Sequence, residues 1–131
     1  MKKRPYISTS LWALFILILC GIPGKDVPHI SFLELLSFDK FVHASIFFTL
    51  TMLFIRSNKL TKMKMVKKDA VFIAAGISIA YGGLTEILQA TVFVDRTADW
   101  FDFIADSFGC LVAATFYRSI SKKFPKLQLP L

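Results

Sequence analysis

The stretch TEILQATVFVDRTADWFDFIAD, Thr85 to Asp106, holds five carboxylates, a Gln and an Arg, and both of its ends run into strongly apolar segments. Those flanks decide the fold class. The chain has 131 residues, 55% of them hydrophobic, with fourteen Phe and a mean hydropathy of +0.59. That is long enough for one domain and too apolar for an ordinary soluble one. Composition points to a small all-α integral membrane protein. A net charge of +7 would also suit a nucleic-acid binder, but that needs bases on a solvated face. Here they sit between apolar blocks, as membrane topology requires, so no nucleic-acid partner is expected.

Four apolar segments are each near the roughly 20 residues that a helix needs to cross a bilayer. They fall at 7–22, 41–55, 70–94 and 100–117, which predicts a single four-helix membrane domain spanning 1–131. The second is short, and the third is long enough to tilt or project. Lys2, Lys3 and Arg4 before the first segment resemble the start of a signal peptide. No small-x-small cleavage site follows, and Leu19 before Cys20 is too bulky for a lipoprotein site, so the segment reads as an anchor.

Charge orients the bundle. The N-terminus carries three bases, the link from Arg56 to Lys68 carries six without an acid, and the tail from Arg118 to Lys126 carries four. These regions are predicted to be cytoplasmic, with both termini inside. Eight of the nine acids, all but Asp69, then fall on the outer side or in the outer halves of helices. After Pro28, ISFLELLSF has Ser31 and Glu34 at capping-box spacing, which predicts a short interfacial helix between helices 1 and 2. Cys20 and Cys110 read as packing residues, not a disulfide.

The polar residues of the outer half are placed by helical geometry. Asp99, Asp102 and Asp106 lie at i, i+3 and i+7, within roughly 60° of one another on a helix. Beside them run Ala105, Gly109 and Ala113, a small face suited to close helix contact. Gly76, Ala80 and Gly83 predict a similar face on the third helix, with Glu86 just around from it and Gln89 beyond. An ionisable group at that depth is costly and is expected to turn inward. Asp39 and His43 share a face one turn apart, next to Lys40. Arg96, in the short outer loop, is the cation expected to face the acids. Each has a structural alternative: Asp99 fits an N-cap, His43 a helix contact, and Arg96 a pair with Asp95 or a headgroup.

The order Asp39-Lys40-x-x-His43, then Gly82/Gly83…Glu86-x-x-Gln89, then Arg96-x-x-Asp99-x-x-Asp102-x-x-x-Asp106-x-x-Gly109 resembles the VanZ-like family of small bacterial membrane proteins. The resemblance runs from the first helix to Tyr117. It departs at Asp106, where the family typically has Asn, and at Ala113, where it often has Gly. The resemblance implies a four-helix fold in the bacterial plasma membrane, a cell-envelope setting and functional weight for the residues just named. Its founding member is associated with resistance to teicoplanin, a lipoglycopeptide antibiotic.

Two functions are expected from this pattern. The first is an outward-facing site that binds or modifies a lipid-linked or amphiphilic envelope molecule, such as a cell-wall precursor or a lipoglycopeptide. Glu86 and His43 would be acid and base, with Asp102 orienting them, and Arg96, Gln89, Lys40, Asp39 and Asp99 would contact substrate. A divalent cation held by some of Asp102, Asp106, Glu86 and His43 fits the same chemistry. The second is a non-enzymatic protein whose polar network locks the helices. A proton-coupled transporter ranks below both, because the inner halves offer only scattered Ser, Thr and Tyr.

Overall fold

The computed structural model describes residues 4–23, 32–61 and 67–123. These form four helices and no strand: α1 (Ile7–Gly21), α2 (Phe32–Leu60), α3 (Lys67–Thr91) and α4 (Trp100–Lys123). The interfacial helix is not a separate element, because the chain runs as one helix from Phe32 to Leu60. No Gly or Pro interrupts that run, so nothing ends the helix before the apolar span begins. Ser31 of the expected capping box lies outside the described residues. Two helices are long and apolar enough to cross a membrane, over Phe38–Leu60 and Ala70–Thr91. The segment expected to be short is therefore long enough, while α1 is apolar over only 15 residues.

The helices alternate in direction. The start of α1 meets the end of α2, where the Tyr6 hydroxyl donates to Asn58 Oδ1 at 3.0 Å. Its far end meets the end of α3, where Gln89 Nε2 donates to the Cys20 carbonyl at 3.2 Å. Between them, Trp12 Nε1 donates to the Ile46 carbonyl at 2.9 Å and the Tyr81 hydroxyl to the Ala13 carbonyl at 2.6 Å. The bases Arg56, Lys59, Arg118, Lys122 and Lys123 thus collect at one end of the bundle, and Asp39, Glu86, Asp99, Asp102 and Asp106 at the other.

Two apolar clusters stack between those ends. Ile16, Cys20, Phe47, Leu50 and Cys110 fill the half nearer the acids, and Ile55, Val71, Ala74, Ala75 and Ala114 the half nearer the bases. Both cysteines are free and buried, as packing residues. The outer faces are apolar too, with Leu11, Ile18, Ile77, Leu84, Ile104 and Phe108 exposed. Helices apolar on both faces are compatible with a membrane environment.

Steps of four and three pick out the buried face of α3 as Val71, Ala75, Ser78, Gly82, Thr85 and Gln89. Gly76 and Ala80 point away from the bundle, contrary to the small face expected there; the packing stripe uses Gly82 instead. On α4 the same rhythm buries Asp102, Asp106, Gly109 and Ala113. Gly109 is where α4 lies against α2. A Cβ built on it would overlap the Ala44 carbonyl oxygen, which is backbone and cannot swing aside. The bare Cα instead allows a close Cα–H···O approach.

These two glycines separate intrinsic helix propensity from packing. Gly109→Ala is expected to destabilise the fold by about 1–3 kcal/mol or more through overpacking. A Cβ at Gly76 would meet nothing within 4 Å, so Gly76→Ala is expected to be neutral or stabilising by up to about 1 kcal/mol. Thermal melting of both variants in detergent checks the contrast.

Candidate functional site

The acidic end is assembled by α2, α3, α4 and the turn before α4. At the end of α3, the Val92 and Phe93 amides both donate to the Leu88 carbonyl. Asp95 then adopts φ 55°, in the left-handed region that Asp tolerates better than most residues. Phe93 folds back toward α1, its ring 3.5 Å from where a Gly21 Cβ would lie. This turn returns the chain so that the Asp99 amide donates to Glu86 Oε2 at 2.8 Å.

Asp99 has three roles at once. Its Oδ1 accepts from the Phe101 amide at 2.9 Å, capping α4. Its Oδ2 accepts from Lys40 Nζ at 2.8 Å, and its own amide orients Glu86. The cap and the site contact are thus the same residue. Lys40 also contacts Asp102 Oδ1 and lies 3.7 Å from Asp39 Oδ2. It is the cation facing the acids. Arg96, expected in that role, makes no ion pair among the described residues. The difference follows from α2 starting early: Lys40 then sits inside a helix that packs on α4.

His43 lies one turn deeper. Its Nδ1 is 2.9 Å from Asp106 Oδ1, and its Nε2 is 3.7 Å from both Asp102 Oδ2 and Asp39 Oδ1. Asp106 is fully buried, at 0% exposure, and packs against Gly82, whose missing Cβ would come within 3.2 Å of Asp106 Oδ2. Gln89 is also buried, but it faces α1 through the Cys20 carbonyl and so joins helices instead of entering the cluster. Three polar oxygens at this end have no protein hydrogen-bond partner among the described residues: Glu86 Oε1, Gln89 Oε1 and Asp106 Oδ2.

A groove of about 300 Å³ adjoins the cluster between the ends of α3 and α4. Glu86 and Asp99 line it together with Gly83, Ile87, Ala90, Ala98, Trp100 and Phe103. It joins a carboxylate to an apolar trough whose outer walls, Ile87 and Trp100, are exposed. The sequence alone does not show this trough, because it depends on how α3 and α4 sit against each other. Trp100 at the mouth of α4 is the one visible hint, since Trp favours membrane interfaces. A larger cavity of about 540 Å³ lies between α1, α2 and α3, from Tyr6 to Tyr81, and no acid lines it. Near it Asn58, Thr51 and Ser78 are buried polar groups of the inner half; Asn58 adds to the expected Ser and Thr, but none of the three ionises in the ordinary pH range. The chain matches no protein-family model, no curated protein and no solved structure.

Lys40 beside Asp99, helped by the Phe101 amide, holds the Asp99 carboxyl below the usual carboxylate range. A depressed folded pKa contributes stability above the unfolded value of about 3.9, and that contribution is lost as pH falls through the folded value. Asn caps a helix as well as Asp, so Asp99→Asn removes the charge while keeping the cap. Wild-type protein is expected to melt above Asp99→Asn at pH 5–8 by a modest margin that narrows below about pH 4. Melting of the two proteins across that range checks it.

Proposed function

We propose that this chain is a multi-pass protein of the bacterial plasma membrane, VanZ-like in its residue pattern. In this reading its outer acidic site binds or modifies an amphiphilic envelope molecule. The observation that carries the reading is the groove between α3 and α4, which ends at Glu86 and Asp99 and opens between exposed apolar walls. An alkyl chain lies along Ile87, Ala90 and Phe103, and its polar head meets the acids. Glu86 reaches the head group as general acid or base. His43, oriented by Asp106, is the second proton carrier, and Lys40 fixes Asp99 and Asp102 around them.

All four helices cross the membrane in this reading, with both termini in the cytoplasm. The separation of bases to one end of the bundle and acids to the other supports that orientation. A phosphatase fused after Asp95 is expected to be active and one fused at the C-terminus inactive. The reverse pattern would invert the topology.

The head group follows from charge. Asp39, Glu86, Asp99, Asp102 and Asp106 outnumber Lys40 and His43, so the bare site favours amines and hydroxyls over phosphate. A lipid-linked cell-wall precursor and a lipoglycopeptide such as teicoplanin both offer such groups on an apolar anchor. By the family resemblance, expression is expected to raise tolerance to teicoplanin.

A structural lock is the second reading, favoured by Lys40, which ties α2 to α4 through Asp102. Glu86→Gln discriminates, because Gln still accepts the Asp99 amide while the buried charge is removed. Under the binding reading the variant melts within a few degrees of wild type or higher. Its affinity for a lipid-linked precursor analogue, measured by native mass spectrometry, falls at least about tenfold, a change of about 1.4 kcal/mol. A large drop in melting temperature with unchanged binding would favour the lock.

A further inference from the structure

We propose that His43, Glu86 and Asp106 form a site for one divalent first-row metal ion. The three side chains come from α2, α3 and α4, all are buried, and one ligand atom from each lies within 4.8 Å of the others. Donors bonded at about 2.1 Å lie about 3 Å apart when adjacent around an ion and about 4.2 Å apart when opposite. The cluster's 4.8 Å bound lies just beyond that range, within reach of small side-chain shifts. The 2.9 Å between His43 Nδ1 and Asp106 Oδ1 matches an adjacent pair as well as it matches a hydrogen bond.

A second observation points the same way. Among the described residues Glu86 Oε1 and Asp106 Oδ2 have no protein hydrogen-bond partner, although Glu86 is 8% and Asp106 0% exposed. Two buried carboxylates with an unmatched oxygen apiece are costly unless a cation meets them or a proton neutralises them. Among the described residues no Lys or Arg is at hand, since Lys40 is held by Asp99 and Asp102 and Arg96 makes no ion pair; His43 enters this site as a neutral imidazole donor. Gly82 leaves open the side of Asp106 that a methyl group would crowd.

The donors choose the ion. One imidazole and two carboxylates suit Zn²⁺ or Mn²⁺ better than Ca²⁺ or Mg²⁺, which prefer oxygen alone. The other candidate trio, Asp39, His43 and Asp102, is weaker, because Asp102 is already neutralised by Lys40 and Asp39 is half-exposed. The ion site does not depend on the amphiphile reading. Where both hold, Glu86 belongs to the ion site and to the groove lining alike, Glu86 and His43 serve as ligands in place of proton carriers, and the ion would supply a Lewis acid toward a hydroxyl or phosphate oxygen of the head group.

Equilibrium dialysis of the chelator-stripped full chain in detergent, against Zn²⁺ alone and Mn²⁺ alone, tests the site, with bound metal counted by mass spectrometry and melting followed in parallel. The expected result is one saturable equivalent per chain of at least one of the two ions, with a rise in melting temperature. Glu86→Gln and Asp106→Asn each lower the affinity at least about tenfold. Asp95→Asn, a change of an acid outside the cluster at a position where Asn fits the backbone, leaves it unchanged. Absence of saturable binding by wild type, or equal binding by wild type and Asp106→Asn, overturns the site. Should Asp106→Asn not fold, wild-type stoichiometry and the Glu86→Gln comparison decide. Amphiphile binding by metal-free protein would keep the proposed function while the ion site failed, and stoichiometric metal uptake without amphiphile binding would do the opposite.

Discussion

The approach of the Ala44 carbonyl to the bare Cα of Gly109 sets the distance between α2 and α4, and the acidic site is built outward from that contact. His43 is the residue before Ala44, and Asp106 lies about one turn before Gly109 on α4, which runs parallel to α2. Their side chains meet because the two backbones are that close. One turn further out, Lys40 finds Asp102 and then Asp99. Backbone contact, imidazole–carboxylate contact and ammonium–carboxylate contact follow one another like rungs of one ladder. A wider helix spacing would separate all of them, since a buried ion pair with poor geometry does not offset its own desolvation.

Around that ladder the remaining elements restrict the acids. The turn through Asp95 has one decisive product, the Asp99 amide aimed at Glu86 Oε2. A backbone donor cannot rotate away, so Glu86 is held with its other oxygen pointing elsewhere. Asp106 is similarly fixed on one oxygen by His43 and left unmatched on the other. Holding carboxylates by half their capacity is the opposite of what a purely structural network does, because such a network stabilises most when every polar atom is satisfied.

Much of this is legible in the sequence. The Asp99, Asp102 and Asp106 stripe obeys helical spacing, so its burial on one face of α4 follows from arithmetic, as does the pairing of faces by Asp39 and His43. The all-helical class followed from composition. Three readings failed for separable reasons. ISFLELLSF looked like its own element because Pro28 and Ser31 mark a start, but nothing in the following residues marks a stop. Gly76, Ala80 and Gly83 have the spacing of a packing face, yet Ser78, Gly82 and Thr85 have it too, and spacing alone does not choose between overlapping stripes. Arg96 was favoured over Lys40 by its place in the loop, which took no account of how far up α2 extends. The groove beside Glu86 was not legible at all, since it belongs to the relative placement of two helices and not to either sequence.

α1 is attached to the rest by bonds of a particular kind. Two of its three central ties, from Tyr81 and from Gln89, end on its own main-chain carbonyls at Ala13 and Cys20; the third runs from Trp12 to the main chain of α2. A carbonyl remains whatever side chain is attached beside it. Apart from Thr9, whose hydroxyl meets that of Ser57, Trp12 and its few buried positions, the first helix is therefore free to drift in sequence without being let go. Homologous chains are accordingly to be sought through α2 to α4, where the side chains themselves carry the contacts.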